Sequence, residues 1–187
     1  HFSPDYKPWD QRLCLIPNAD LFKAIRRGDA SVVTEHISRF VPEGIELQSG
    51  EVLEADLVVA ATGLQVQVFG GASVEVDGEP IEPSETMMYR GTMLSGVPNF
   101  CLSLGYTNAS WTLKCELTSR WVCRLLRHMK RNDLEVACAY KDPDVDEMPL
   151  LDLNSGYIHR ASGMIPAQGS RLPWRLYQNY ILDKWML

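Results

Sequence analysis

The chain has 187 residues, 45% of them hydrophobic and 22% charged, with a formal net charge of −6. That length supports a real hydrophobic core, the acidic balance argues against nucleic acid and anionic membrane as partners, and no stretch approaches the ~18 uninterrupted apolar residues of a membrane span. Five cysteines with no C-x-x-C pair read as reduced thiols of a cytoplasmic protein, and four scattered histidines give no metal-ligand spacing.

In chain order, His1-Phe2-Ser3-Pro4 has no signal-peptide layout and reads as a start inside a longer protein. Residues 1–17, rich in Pro and aromatics, read as an ordered loop. Asn18 is placed to cap a helix through Arg27, with Leu21, Phe22 and Ile25 on its buried face and Gly28 at its C′ position. Residues 30–34 predict a short buried strand. Residues 37–40 open an antiparallel part that continues through 44–54, where apolar and polar residues alternate around Ser49-Gly50 as in a hairpin. Asp56-Leu57-Val58-Val59-Ala60-Ala61-Thr62-Gly63 is apolar on both faces. That pattern predicts a strand inside a parallel sheet, with Thr62 and Gly63 at the carboxyl end where ligands bind. Gly70-Gly71, Asp77-Gly78, Pro80 and Pro83 punctuate a loop-rich crossing. Residues 97–105 predict a second buried strand ending in Gly105. A helix follows, with Leu113, Leu117, Trp121 and Leu125 four apart, no carboxylate in its first turn and cations in its last. Prolines make the tail irregular, with a helix expected between Trp174 and Trp185.

The strand-Gly-helix unit is the main candidate site. A helix N-terminus offers unpaired N–H groups and partial positive charge. It suits the pyrimidine edge of a reduced flavin, and a core helix capped by Asn108 or Ser110 explains the same spacing. No H-E-x-x-H, G-x-S-x-G, Walker loop or G-x-G-x-x-G is present. Any pyrophosphate-binding turn therefore lies outside these residues.

Four segments carry a family resemblance: Pro8-Trp9-Asp10-Gln11-Arg12, Ala61-Thr62-Gly63, Gly105-Tyr106-Thr107-Asn108-Ala109-Ser110-Trp111-Thr112-Leu113 and Gln168-Gly169-Ser170-Arg171-Leu172-Pro173-Trp174-Arg175-Leu176-Tyr177-Gln178-Asn179-Tyr180. In this order they resemble the carboxyl-terminal portion of the class B flavin monooxygenases, the Baeyer–Villiger and N-/S-oxygenating enzymes. The resemblance implies an α/β fold: the C-terminal part of a Rossmann-like flavoprotein with two dinucleotide-binding domains, an antiparallel hairpin and an irregular tail. Residues 1–62 would end the NADPH domain and 63–187 the FAD domain. It implies FAD and NADPH as cofactors, molecular oxygen and a ketone, thioether or thioamide as substrates, and an N-terminal portion of the same enzyme as partner. Oxygen would be activated as a flavin C4a-peroxide.

By the same resemblance Arg12 is catalytic, a permanent cation beside developing negative charge. Thr62, Gly63, Asn108, Ser110, Thr112 and Leu113 contact cofactor. Trp111, Trp174 and Tyr177 line the substrate path, although Trp174 and Tyr177 fit a packed face equally well. Gln11 stands where many relatives carry lysine, which leaves the choice between NADPH and NADH open. A pyridine-nucleotide disulfide reductase or NADH oxidase shares the two-domain plan but usually carries Asp where this chain has Tyr106. A non-catalytic interaction module is the alternative of a different class.

Overall fold

Alternation around Ser49-Gly50 produces the expected hairpin. β1 (Ile37–Val41), β2 (Gly44–Leu47) and β3 (Val52–Glu54) form an antiparallel meander, with Ile45 opposite Leu53 and Glu46 opposite Val52. The carboxylate of Glu35 closes the turn, accepting from Ser49 N at 2.6 Å and from Ser49 Oγ at 3.0 Å. The computed structural model describes residues 1–7, 10, 16–151, 153 and 155–187. It divides into two units, His1–Leu64 and Gln65–Leu187.

In the first unit α1 (Asp20–Arg27) ends at Gly28. This residue has φ +80°, a conformation cheap only for glycine, and its N–H reaches the Ala24 and Ile25 carbonyls. The expected cap is corrected: Ala19, not Asn18, holds the N-cap position, and Asn18 sits inside a preceding 3₁₀ turn with φ 56°. No residue of α1 is buried. Phe22 is half exposed and meets the Phe2 ring at 5.4 Å. Among the described residues of this unit, Leu47 is the one buried hydrophobic side chain.

Two strand expectations fail here. Residues 30–34 form no strand. Residues 56–63 form none either: Leu57 is 80% and Val59 78% exposed. A strand exists through its neighbours' hydrogen bonds, and no described strand pairs with this run.

The second unit carries the core. β6 (Met88–Tyr89) and β7 (Met93–Leu94) make a tight hairpin, with Met88 opposite Leu94. Successive side chains of a strand face opposite ways, and the packing follows. Met87 and Tyr89 join Ala139, Val145 and Trp174 on one side, while Met88 joins Leu94, Val97 and Leu150 on the other. β4 (Glu75–Val76) pairs β5 (Glu79–Pro80), and β8 (Glu147–Pro149) pairs β9 (Ala167–Gly169), both antiparallel. β9 also touches Met87 through a parallel bridge to Ala167.

The second expected strand, 97–105, is reduced to one antiparallel bridge between Cys101 and Met93. The expected tail helix shrinks to α4 (Tyr180–Met186), and a short α3 (Gly156–Ala161) was not anticipated. α2 (Trp111–Arg131) forms as its periodicity predicts, with no acid in its first turn and His128, Lys130 and Arg131 in its last. The architecture is therefore mixed α/β, with small sheets whose strands pair antiparallel among the described residues. No described helix is long and apolar enough to cross a membrane.

Candidate functional site

The turn from Gly105 into α2 is built by close approach. A Cβ on Gly105 would lie 2.2 Å from Trp111 Cγ and 2.7 Å from Trp111 Cβ, so only glycine lets the indole fold back onto the chain. Trp111 itself remains 53% exposed. Asn108, Ser110, Thr112 and Leu113 are also exposed. Ser110 occupies the N-cap position of α2 without a side-chain capping bond, and its hydroxyl lies 2.8 Å from that of Thr112. The helix start thus offers hydroxyls and N–H groups and no carboxylate.

The tail holds this turn in place from about 70 residues away. Gln178, itself at φ 53°, accepts through Oε1 from Thr107 N at 3.0 Å and from Thr107 Oγ1 at 3.4 Å. Its backbone carbonyl accepts from Asn108 Nδ2 at 3.2 Å. Asn179 then caps α4, accepting from Ile181 N at 3.0 Å and Leu182 N at 3.1 Å. The first turn of α4 carries Asp183, whose Oδ2 accepts from Tyr106 OH at 2.6 Å and from Lys114 Nζ at 2.8 Å. All three side chains are buried. Burial, and then the hydrogen bond to Asp183, pushes the Tyr106 phenol above its ordinary pKa. The Arg90 guanidinium donates to Met186 O and ties down the far end of α4.

A cavity of about 10 Å³ lies among Gly91, Leu104, Tyr106, Lys114, Gln178 and Asp183. It is at the lower limit for a single water. Grooves of about 450 Å³ beside Phe69, Val74, Ile81 and Met164, and about 300 Å³ beside Met148, Leu150, Ile158 and Ile165, are lined by none of the candidate residues.

The other candidates are spread out. Thr62 and Gly63 lie in the first unit, exposed, with Gly63 at φ 121°. Arg12, with Pro8, Trp9 and Gln11, lies outside the described residues. Trp174 is 2% exposed and packs its ring against Tyr89, centroids 5.2 Å apart, among Met87, Ala139 and Val145. Tyr177 is 46% exposed, and neither Trp174 nor Tyr177 is helical. The four described cysteines are free thiols, and burial pushes the Cys101 thiol up. Among the described residues, no group of His, Cys, Asp or Glu has the makings of a metal site.

The chain is 52% identical over 98% of its length to the FAD-containing monooxygenase EthA of Mycobacterium tuberculosis. The chain belongs to the FAD-containing monooxygenase family. The probable FAD-binding monooxygenase AlmA of an Acinetobacter species is 47% identical over 98% of the chain, and the putative FAD-containing monooxygenase MymA of M. tuberculosis 46% over 98%. The chain spans about 38% of the length of EthA and 37% of AlmA and MymA. No protein-family model and no solved structure matches the chain. The start of α2, with its donors and no acid, is suited to an electron-rich group. Sequence reasoning did not single out Lys114, Gln178 or Asp183 as a group. The available signal was a lysine one position off the apolar stripe of α2, within its first two turns.

Proposed function

We propose that the chain is the carboxyl-terminal portion of an FAD- and NADPH-dependent monooxygenase of the Baeyer–Villiger type. It would insert one oxygen atom into ketones or oxidise sulfur or nitrogen compounds such as thioethers and thioamides. The observation that carries this reading is 52% identity along 98% of the chain to an FAD-containing monooxygenase. The relatives named above, all FAD-containing or FAD-binding monooxygenases, favour this reading over the rival disulfide-reductase and interaction-module readings.

Residues 1–62 belong in this reading to the NADPH domain and 63–187 to the FAD domain of a Rossmann-like pair. Residues 56–63 form a parallel strand once the rest of the polypeptide supplies its neighbours. FAD, when bound, would supply the redox and oxygen-activating chemistry, with NADPH as the reductant. The chain's own residues position and stabilise charge. Asn108, Ser110, Thr112 and Leu113 direct hydroxyls and the N-terminal N–H groups of α2 at the flavin ring. Thr62 and Gly63 give the cofactor a strand end with no bulky side chain. Trp111 and Tyr177 border the substrate, with Trp174 buried behind them as a packing support. Arg12 holds a permanent positive charge where negative charge develops on oxygen.

The test uses the full-length enzyme loaded with FAD. NADPH consumption and oxygenated product are measured together, with a ketone and a thioether as substrates. The proposal expects product one oxygen heavier than substrate. It expects Arg12→Ala to lose about 10²-fold in product formation, the scale of one lost preorganised donor, while NADPH oxidation persists and releases hydrogen peroxide. Absence of any oxygenated product would refute the activity. Unchanged coupling in Arg12→Ala would refute the role of Arg12.

A further inference from the structure

Lys114 is an ammonium 5% exposed, at the end of the first turn of a helix whose N-terminal end is already positive. A cation is retained in such a place only with a partner, because burial penalises the unpaired charge. It pairs with Asp183, and Tyr106 donates to the same carboxylate oxygen. Tyr106 follows directly on Gly105 and Lys114 on Leu113, so the two donors bracket the turn that faces the proposed flavin site. Asp183 thus grips both ends of that turn from a third element. Its own position is fixed by the Asn179 cap and by the Arg90 contact to Met186. The cavities of about 10 and 20 Å³ beside it have room for water alone, which points to a role exerted through Tyr106 and Lys114.

We propose that Asp183 is a positioning residue for the flavin-facing turn: through Tyr106 and Lys114 it fixes the start of α2 and balances the buried charge beneath it. This rests on the reading that the N-terminus of α2 faces the flavin ring. Two consequences of opposite sign follow. Asp183→Asn keeps the size of the side chain and, at a pH low enough to keep Lys114 protonated, leaves that cation unbalanced, which favours the anionic reduced ring and raises the flavin reduction potential. Lys114→Met leaves the carboxylate unbalanced and lowers it. The double variant removes both charges and returns the potential to near the wild-type value. A purely structural brace would lower the melting temperature in each single variant without opposite signs in the potential.

The experiment measures the flavin midpoint potential of the full-length, FAD-loaded enzyme in these three variants, with Thr112→Asp as reference. Thr112→Asp places an anion in the helix's first turn and lowers the potential if that turn faces the flavin. A fall in Thr112→Asp, a rise in Asp183→Asn, a fall in Lys114→Met and recovery in the double variant support the proposal. A fall in Thr112→Asp with no shift in the Asp183 and Lys114 variants overturns the role of Asp183 and leaves the placement of the turn standing. No shift in any variant overturns both. If a single variant does not fold, Tyr106→Phe, which keeps the ion pair, takes its place. Losing the phenol donor strengthens the field of the carboxylate and lowers the potential, and an unchanged potential there overturns the proposal.

Discussion

Residues 56–63 and 97–105 are both apolar runs closed by glycine, and the structure treats them differently. The first forms no strand and stays exposed, with Leu57 at 80% and Val59 at 78%. The second lies against the β6–β7 hairpin, with Val97 at 2% and Leu102 N donating to Thr92 O at 2.8 Å. The apolar pattern alone does not decide between these outcomes. The second run has partners within 10 residues along the chain, and its far end is gripped by Gln178 and Asp183. The first has only a short antiparallel meander before it, whose strands pair with one another. Apolarity on both faces states a need for neighbours, and whether the need is met depends on what else the polypeptide contains.

The contrast can be broken or sharpened by substitution, with stability read from urea unfolding. The largest effect is expected at the end of the second run. Gly105→Val drives a side chain into Trp111 at 2.2 Å and costs about 3 kcal/mol by overpacking. Val97→Ala removes two methyl groups from the core beside Met88 and Leu94 and costs about 2 kcal/mol, whereas Val59→Ala changes stability by less than about 0.5 kcal/mol. Equal costs at the two valines would erase the distinction. Gln178→Ala removes the Oε1 acceptor 3.0 Å from Thr107 N and costs about 1 kcal/mol, accompanied by faster amide exchange at Thr107.

The smallest effect is a pH dependence. The Tyr106 phenol is pushed above its ordinary pKa by burial and by Asp183, so the folded state keeps a proton that the unfolded chain releases near pH 10. Its contribution is fully present below that pH and is lost as pH rises from about 10 through the raised folded value. Tyr106→Phe should lack this extra loss, and the last part of the phenolate absorbance titration should vanish with it. A wild-type titration with no such late part would contradict the burial of Tyr106.

Local patterns were legible where the chain satisfies itself locally. The hairpin at Ser49-Gly50, the stop of α1 at Gly28 and the whole of α2 follow from two-fold alternation, a left-handed glycine and helical spacing. The expected face of α2 holds at Leu117, Trp121 and Leu125, which are buried or half-buried, and departs at its start, where Leu113 is exposed while Lys114 and Thr118 are buried. A buried lysine reads as a surface residue until its partner is known, and Asp183 lies 69 residues away. Trp174 was weighed as a substrate contact or part of a packed helix face, and it is a core residue in a non-helical segment. The two glycine-ended runs were assigned to a parallel sheet from composition, yet strand formation depends on hydrogen-bond partners that composition does not specify. The turn 105–113 was singled out from its sequence, but the tail clamp that shapes it comes only from tertiary contacts.

In the proposed reading, residues 56–63 become one strand of a sheet whose neighbours lie in the rest of a longer flavoenzyme. Amide hydrogen exchange tests it most directly, comparing this chain with the full-length FAD-loaded enzyme. The account predicts that the amides of residues 57–61 exchange at nearly unprotected rates in the chain and become strongly protected in the full-length enzyme, while those of α2 are protected in both. Strong protection of 57–61 in the chain alone, or none in the full-length enzyme, would contradict it.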